Sequence, residues 1–346
     1  MRGNRSGCFG RSAWPQTRTG LDDDEAGRWM MERQAFLSAA IGVLSGIGRE
    51  KVAPRTLHRG SARVFGSELS VTVLHADEMR AQVAIAAALC AALGIEQLTT
   101  LAGGDSATCQ LNRDGVLAQP QPRLLAMLSQ ACALSQLTGG AFDVTVQPLL
   151  RTYAEAMRWG ALPERHAIDA ARGLVGWRRL AFNREQVRFP LAGMELTLDG
   201  LAQGYAADMA LSALRRHGIH DAMIDTGSVA AGGDGGLQWM ARLPDVHGVS
   251  LGAVPLRDRC MATSDCGAPG AGGIVHPVSG DMVDELARVT VLAPLGLLAD
   301  GLATAFMVMG AKQAHALAAR LPGIDVLTVD RRGEVRRSAG FGVTGL

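Results

Sequence analysis

Lysine is almost absent from this chain of 346 residues, which has only Lys51 and Lys312 among its 34 basic residues. This scarcity argues against mechanisms that depend on a lysine, such as Schiff-base catalysis or a phosphate-binding loop with an essential lysine. An excess of charge is also lacking, since the formal net charge is only +1. Nucleic-acid binding needs a concentrated basic surface, so we expect no nucleic-acid partner.

Paired cysteine motifs are missing as well. The six cysteines contain no C-x-x-C pair and no metal-finger spacing, so we expect unpaired thiols, although Cys260 and Cys266 are close enough in sequence to be bridged. Aromatic residues contribute only 4%, yet 48% of the chain is hydrophobic. That apolar fraction is enough for a substantial core and excludes disorder over most of the length.

The amino-terminal part of the chain has no hydrophobic run long enough to span a bilayer. Residues 1–30 are polar and without periodicity, so we expect them to be disordered or to precede the true start codon. Residues 31–48 contain a short apolar run after Arg33, which is typical of a signal peptide and resembles a twin-arginine signal with one arginine missing. The alternative is a short amphipathic helix. We expect a periplasmic or exported protein, with inner-membrane association as a further option.

The hydrophobic pattern after residue 60 predicts a single catalytic domain over residues 60–335. Strands and helices are mixed without the regular alternation of a doubly wound parallel sheet, which favours an α+β fold with mixed sheets flanked by helices. The predicted helices are residues 76–98, 122–137, 202–217, 299–309 and 311–321. The pattern also predicts strands at residues 64–74 and 194–198 and a loop at residues 99–115.

Two glycine-containing segments can approach a ligand closely. In Gly139–Leu149 the glycines have no side chain, so the backbone can come close to a ligand. Asp143 followed by Thr145 can cap a helix start. Residues 196–208 predict a strand that runs through glycine into a helix, a geometry that offers free N–H groups to a phosphate. Each segment alone also fits an ordinary capped turn.

A third segment places Asp300 and Thr304 four residues apart on a predicted helix, so that both oxygens lie on one face. A carboxylate with a hydroxyl is an oxygen pair suited to Mg²⁺, which usually keeps waters and substrate phosphates as its other ligands. The alternative is an acidic residue near a helix start and a buried threonine.

Taken in order, these segments resemble the ApbE family of FAD:protein FMN transferases, from about Val64 to Asp330. The similarity is strongest at Gly139–Leu149, Gly204–Asp208 and Ala299–Ala305. The resemblance implies an ApbE-like, T-fold-related α+β fold, FAD as substrate and Mg²⁺ as cofactor. It further implies transfer of FMN to a threonine of an acceptor flavoprotein subunit in a redox or respiratory complex, with release of AMP.

The resemblance also implies a set of site residues. The FAD-binding positions are Ala141, Phe142, Asp143, Thr197, Gln203 and Ile274. The Mg²⁺-binding positions are Gly200 through its carbonyl, Asp300, Thr304 and Ala303. His276 is the candidate catalytic residue.

The chain departs from the family pattern at several of its positions. Thr197 stands where the family usually has an aspartate before Leu-Gly-Gly, and Gln203 where it usually has a lysine. Gly273 replaces a histidine, and His276 replaces an aspartate three residues later. An imidazole in this loop can still transfer a proton or bind a phosphate oxygen, unless it is only a solvent-facing loop histidine. These departures leave two alternatives to a transferase: a flavin-binding paralogue without transfer chemistry, and an FAD pyrophosphatase that forms FMN and AMP.

Overall fold

The structure is a computed structural model that describes residues 54–233, 237–244, 250–267 and 273–344. All of these residues belong to one compact unit. The segments expected to be a disordered start and a signal peptide, residues 1–30 and 31–48, lie outside the described residues. Within the described part of the chain, the five cysteines form no disulfide, as predicted.

The fold begins with a hairpin of β1 (Thr56–Val64) and β2 (Ser67–His75). Phe65 and Gly66 both have positive φ, the backbone of a two-residue hairpin turn that matches the twist of the strands. The prediction of a strand over residues 64–74 captured β2 and missed β1. Polar residues dominate β1 because most of its side chains are exposed or only half-buried.

The remaining strands follow along the chain: β3 (Val116–Ala118), β4 (Ala181–Phe182), β5 (Gln186–Arg188), β6 (Ala222–Asp225), β7 (Val229–Gly232), β8 (Trp239–Pro244), β9 (Ser250–Leu256), β10 (Arg259–Asp265), β11 (Leu286–Ala293), β12 (Asp325–Asp330) and β13 (Val335–Arg337). The main sheet has the strand order β1-β2-β6-β7-β10-β11-β12-β13, and every neighbouring pair is antiparallel. Strands β3, β5 and β4 form a small separate sheet, and β8 pairs with β9.

The helices are α1 (Glu78–Thr99), α2 (Ala107–Asp114), α3 (Pro122–Leu137), α4 (Gln147–Met157), α5 (Arg165–Gly173), α6 (Asp199–Arg216) and α7 (Gly296–Ala318). Helix α1 packs against β1, β2 and α6, whereas α7 packs against α6, β10 and β11. Helix α1 is the one helix of the described residues that is long and apolar enough to cross a membrane by length and composition. These contacts make it a core helix of an α+β domain, the predicted fold class.

The two faces of β10 have different partners. Met261 belongs to a core cluster with the β8–β9 hairpin, and Ser264, on the opposite face, reaches Thr304 of α7. Alternation along a strand therefore directs one side of β10 to a hydrophobic core and the other to the helix layer.

Three local predictions differ from the structure or are refined by it. The loop predicted at residues 99–115 contains α2, a short polar helix capped by Ser106. The strand predicted at residues 194–198 is wrong, because the side-chain amide of Asn112 occupies the backbone N–H and carbonyl of Leu196. The predicted break after residue 309 is confirmed: Gly310 has φ 74° and ψ 165°, and the Glu285 carboxylate accepts the N–H of Ala311.

Candidate active site

Helices α6 and α7 touch through their backbones. A Cβ atom on Gly204 would lie 2.1 Å from the carbonyl oxygen of Gly296, so only glycine permits this approach. Asp208, one turn further along α6, accepts hydrogen bonds from the amides of Gly296 and Leu297 at 2.8 and 3.0 Å. This carboxylate caps the start of α7 and anchors it against α6.

Asp300 lies one turn into α7 and is buried, with 7% of its surface exposed. Its Oδ2 accepts the amide of Gly204 at 2.9 Å, a group that in a regular helix would be directed at the carbonyl of Gly200. Burial, with a smaller contribution from the negative charges of Asp199 and Asp208, raises the pKa of Asp300 to about 7, although the hydrogen bond from the Gly204 amide opposes the rise. Within the described residues, no basic side chain forms an ion pair with Asp300. The site therefore contains a buried carboxylate without a cation, an arrangement that proteins normally compensate.

Thr304 and Gly200 lie beside this carboxylate. A Cβ on Gly200 would be 3.2 Å from Thr304 Oγ1 and 3.2 Å from the ring of Phe142. The hydroxyl of Ser264 at the end of β10 is 3.3 Å from that of Thr304. Asp300 and Thr304 share the helical part of α7 before Gly310, as their spacing predicted. Three elements that are distant in sequence thus bring oxygen groups together.

The predicted position Asp143 is buried and satisfied by the protein itself. Its Oδ1 accepts the amide and the hydroxyl of Thr145 at 2.8 and 2.6 Å, and its Oδ2 accepts the amide of Trp177 at 3.0 Å. Burial raises the pKa of Asp143, and these hydrogen bonds oppose the rise. The predicted cap on a helix start is confirmed, since Asp143 caps the short 3₁₀ turn Val144–Val146.

The neighbouring groups of this segment border the oxygen cluster. Phe142 is buried against Gly200, whereas Ala141 is half-buried. The indole Nε1 of Trp177 is buried and has no hydrogen-bond partner in the described part of the chain. It lies 3.8 Å from the position that a Cβ on Gly140 would occupy. A buried N–H without a partner is rare in folded proteins, so this group is a candidate donor to a ligand.

Two other predicted residues, Thr197 and Gln203, contact backbone turns. Thr197 is buried, and its Oγ1 accepts the amide of Asp199 at the start of α6. Gln203 turns toward the β6–β7 connection: its Oε1 would lie 2.8 Å from a Cβ on Gly227, which has φ 94°. Thr197 therefore lies at the oxygen cluster, whereas Gln203 covers a neighbouring turn.

His276 and Ile274 lie in a loop that packs on α4 and α5 through Val275. The Nδ1 of His276 accepts the amides of Val278 and Ser279, both at 3.2 Å, so the neutral ring must carry its proton on Nε2. Within the described residues, Nε2 has no hydrogen-bond partner, and none of the ring's contacts reaches Asp300.

The same loop returns to the end of β10. A Cβ on Gly273 would lie 3.3 Å from the carbonyl oxygen of Cys266, two residues after Ser264. It would also lie 2.0 Å from the terminal methyl of Met282, which occupies the space beside Gly273. The loop therefore borders the oxygen cluster without joining it.

A separate concave surface of about 390 Å³ is lined by α2, β3, β5 and residues 189–194. None of the predicted site residues lines it. It therefore adds nothing to the oxygen cluster between α6 and α7.

Asp199 and Ser264 are two polar residues of this cluster that were not among the predicted site residues. Asp199 opens α6 next to Gly200, and Ser264 faces Thr304 from the sheet. A carboxylate in the first turn of a helix was the one available signal for Asp199, but it is equally explained by the helix dipole.

Comparison with known proteins supplies independent information. The ApbE family profile matches residues 65–328. The FAD:protein FMN transferase of Treponema pallidum is 26% identical over 251 residues, covering 63% of this chain and 68% of that protein. The enzyme of the same name from Rhodobacter capsulatus is 28% identical over 353 residues, covering 95% of this chain and 66% of that protein.

The fold is shared with solved structures. The apo flavinyl transferase ApbE of Pseudomonas stutzeri superposes with a TM-score of 0.72 and 24% identity, covering 84% of this chain and 97% of that one. At this identity the similarity shows the fold alone.

Proposed function

Because the chain belongs to the ApbE family, we propose that it is an Mg²⁺-dependent FAD:protein FMN transferase. In the proposed reaction a threonine hydroxyl of an acceptor protein attacks the FMN-side phosphorus of FAD. The new bond joins the threonine oxygen to that phosphorus, and the bond to the bridging oxygen breaks. AMP leaves with the bridging oxygen, and the hydroxyl proton passes to a base or to water.

The observation that carries the proposal is the buried carboxylate of Asp300, which has no cation partner within the described residues and lies beside Thr304 and Gly200. The side chains of Asp300, Thr304 and Ser264 offer oxygen atoms at this position, and oxygen ligands are what Mg²⁺ prefers. When bound, Mg²⁺ offsets the charge that develops on the pyrophosphate oxygens as the bond breaks. The residues present therefore fit the metal.

Each residue of the site has a role in this proposal. Gly204 orients Asp300 through its amide, and Ser264 orients the hydroxyl of Thr304. The missing side chain at Gly200 leaves its backbone free to approach the ion, and Ala303, fully buried on α7, completes the proposed set.

The flavin would lie beside the segment around Phe142. The phenyl ring of Phe142 gives the site an apolar wall. The Nε1–H of Trp177 can donate a hydrogen bond to an oxygen of the ligand and so orient it. The proposed FAD contacts are completed by Ala141, Asp143, Thr197, Gln203 and Ile274.

The test combines purified protein, FAD and Mg²⁺ with a membrane fraction of the source organism. We expect free AMP and a fluorescent flavin band that survives denaturing electrophoresis, both abolished by EDTA. AMP without a flavin band would instead indicate an FAD pyrophosphatase. Bound FAD without AMP would indicate a flavin-binding paralogue.

We further propose that His276 binds a phosphate oxygen through Nε2–H. Asparagine at this position keeps an acceptor for the amides of Val278 and Ser279, since asparagine commonly caps such turns, but it lacks Nε2. His276→Asn is therefore expected to lower FAD cleavage by about 10²-fold, the usual cost of one such donor, while the melting temperature stays unchanged. His276→Ala serves as the comparison, because it loses both the acceptor for the two amides and the Nε2–H donor. Wild-type turnover in the asparagine variant would show that the ring serves only the turn.

Export remains a proposal, supported by the short apolar run within residues 31–48. We expect the mature enzyme to begin after this run and to occur outside the cytoplasm. Mass spectrometry of the native protein from separated cell fractions measures this. A cytosolic protein that retains residue 31 would contradict it.

A further inference from the structure

Trp177 places a hydrogen-bond donor inside the protein and gives it no acceptor. The residue is buried, with 7% of its surface exposed, and its Nε1 has no hydrogen-bond partner in the part of the chain that the structure describes. Trp239, the other buried tryptophan of the described residues, donates its Nε1–H to the carbonyl of Gly232 at 3.1 Å. A buried indole N–H usually has such a partner, so Trp177 is an exception that requires an explanation.

The indole nitrogen lies beside a backbone position that carries no side chain. A Cβ on Gly140 would lie 3.8 Å from Nε1 and, apart from its chain neighbours, would meet no other atom of the described residues within 4 Å. Gly140 has φ 90°, a left-handed backbone that favours glycine. Phe142, two residues further along, lies beside Gly200 of the oxygen cluster. The indole N–H therefore borders the segment at which the flavin is proposed to lie.

Asp143 fixes the position of Trp177. Its Oδ2 accepts the backbone amide of Trp177 at 3.0 Å, and its Oδ1 accepts the amide and the hydroxyl of Thr145. Thr145 Oγ1 in turn accepts the amide of Gly176 at 2.7 Å, so two consecutive backbone amides are fastened to this one carboxylate. The guanidinium of Arg178 lies over the indole, 4.5 Å from the ring centre, and restrains the ring from its face.

We propose that Trp177 is a flavin-binding residue whose Nε1–H donates to an acceptor atom of the flavin ring, and that Asp143 is a positioning residue that acts on FAD only through Trp177. This inference rests on the proposed function and deepens it. The resemblance to the family implies FAD binding at Asp143, but both oxygens of its carboxylate already accept hydrogen bonds from the protein. Its part in binding is therefore indirect, and bound FAD supplies the acceptor for the buried donor.

The first test is the Kd for FAD of the full-length, flavin-free protein, measured by flavin fluorescence in EDTA so that metal-dependent cleavage does not occur. Trp177→Phe keeps an aromatic ring and removes the donor, so it is expected to raise this Kd by about 10-fold, the cost of one hydrogen bond. The visible absorption spectrum of bound FAD should also differ from that in the wild type, because a hydrogen bond to the flavin ring perturbs it.

Trp239→Phe is the matched control. Trp239 belongs to the core cluster of Met261, on the face of β10 opposite Ser264, so the Kd for FAD should stay at the wild-type value. The substitution breaks the hydrogen bond to Gly232 and should lower the melting temperature. Trp177→Phe removes a donor that has no partner in the described residues, so its loss of melting temperature in the flavin-free protein should be smaller.

Asp143→Asn tests the positioning role. The side-chain amide has one acceptor oxygen, so it cannot accept from both Trp177 and Thr145, which the two carboxylate oxygens of Asp143 do. This substitution is expected to raise the Kd for FAD by about 10-fold alone and by at most about 2-fold in the Trp177→Phe background, where the indole N–H is already gone. If Asp143→Asn does not fold, the Trp177→Phe measurement still decides the flavin contact.

The outcomes separate this inference from the proposed function. If the wild type binds no FAD, the proposed function falls and this inference falls with it. If the wild type binds FAD and Trp177→Phe leaves the Kd or the bound spectrum unchanged, Trp177 does not contact the flavin ring, and the proposed function stands. Equal effects of Asp143→Asn in the two backgrounds would show that Asp143 acts on FAD independently of Trp177.

Discussion

Replacing Asp300 by asparagine is expected to lower Mg²⁺-dependent FAD cleavage by about 10³-fold, because metal-ion stabilisation of the transition state contributes several kcal/mol. Asparagine retains an oxygen that can accept the Gly204 amide, so α6 and α7 stay in register. It removes only the negative charge that faces Gly200 and Thr304. The loss should therefore appear in catalysis and in Mg²⁺ binding, and the protein should remain folded.

The pH dependence of stability gives this variant a second, independent readout. The pKa of Asp300 is raised by burial from 3.8 to about 7, so the metal-free folded state binds this proton more tightly than the unfolded chain does. The resulting stabilisation is complete below pH 3.8 and is lost as the pH rises through about 7. Mg²⁺ should restore stability above that pH by pairing with the ionised carboxylate.

Melting temperatures at pH 5 and pH 8, with and without Mg²⁺, measure this effect. The wild type should lose stability at pH 8 and regain it with Mg²⁺, whereas Asp300→Asn should lack this contribution at both pH values and not respond to the metal. Asp284→Asn is the control for the loss of one exposed charge. If the Asp300→Asn enzyme cleaves FAD at the wild-type rate, Asp300 is not part of the active site.

Replacing Gly204 by alanine is expected to cost about 3 kcal/mol of folding free energy, at the upper end of the usual cost of overpacking. The new Cβ would lie 2.1 Å from the Gly296 carbonyl oxygen and 2.8 Å from the Leu297 amide nitrogen, and these backbone atoms cannot rotate away. Helices α6 and α7 would have to separate, which also draws the Gly204 amide away from Asp300. We expect the melting temperature to fall by about 6 °C or more and FAD cleavage to fall with it.

Gly173→Ala is the matched control, since a Cβ there would meet nothing within 4 Å and Gly173 closes helix α5. Thermal melting of both variants compares the same substitution with and without a backbone neighbour. Equal melting temperatures would contradict the close approach of α6 to α7.

Features that depend on neighbouring residues could be predicted from the sequence. The Asp143 cap, the break of α7 at Gly310 and the shared helix of Asp300 and Thr304 all follow from groups within a few residues of each other. Apolar periodicity likewise predicted most of the helices and the α+β class. The strand predicted at residues 194–198 was wrong because its decisive partner, Asn112, is 84 residues away.

The sequence by itself determined the local elements and, through the order of its motifs, the family. Only the tertiary structure decided how the acidic and glycine residues meet. Gly204 and Asp300 are 96 residues apart, and nothing in either segment specifies that the amide of one binds the carboxylate of the other. The same holds for Asp199, which the sequence alone explains equally well as a helix-dipole residue. Its negative charge adds to the effect of burial in raising the pKa of Asp300. The two acids come near each other because α6 packs closely on α7, which two facing glycines permit.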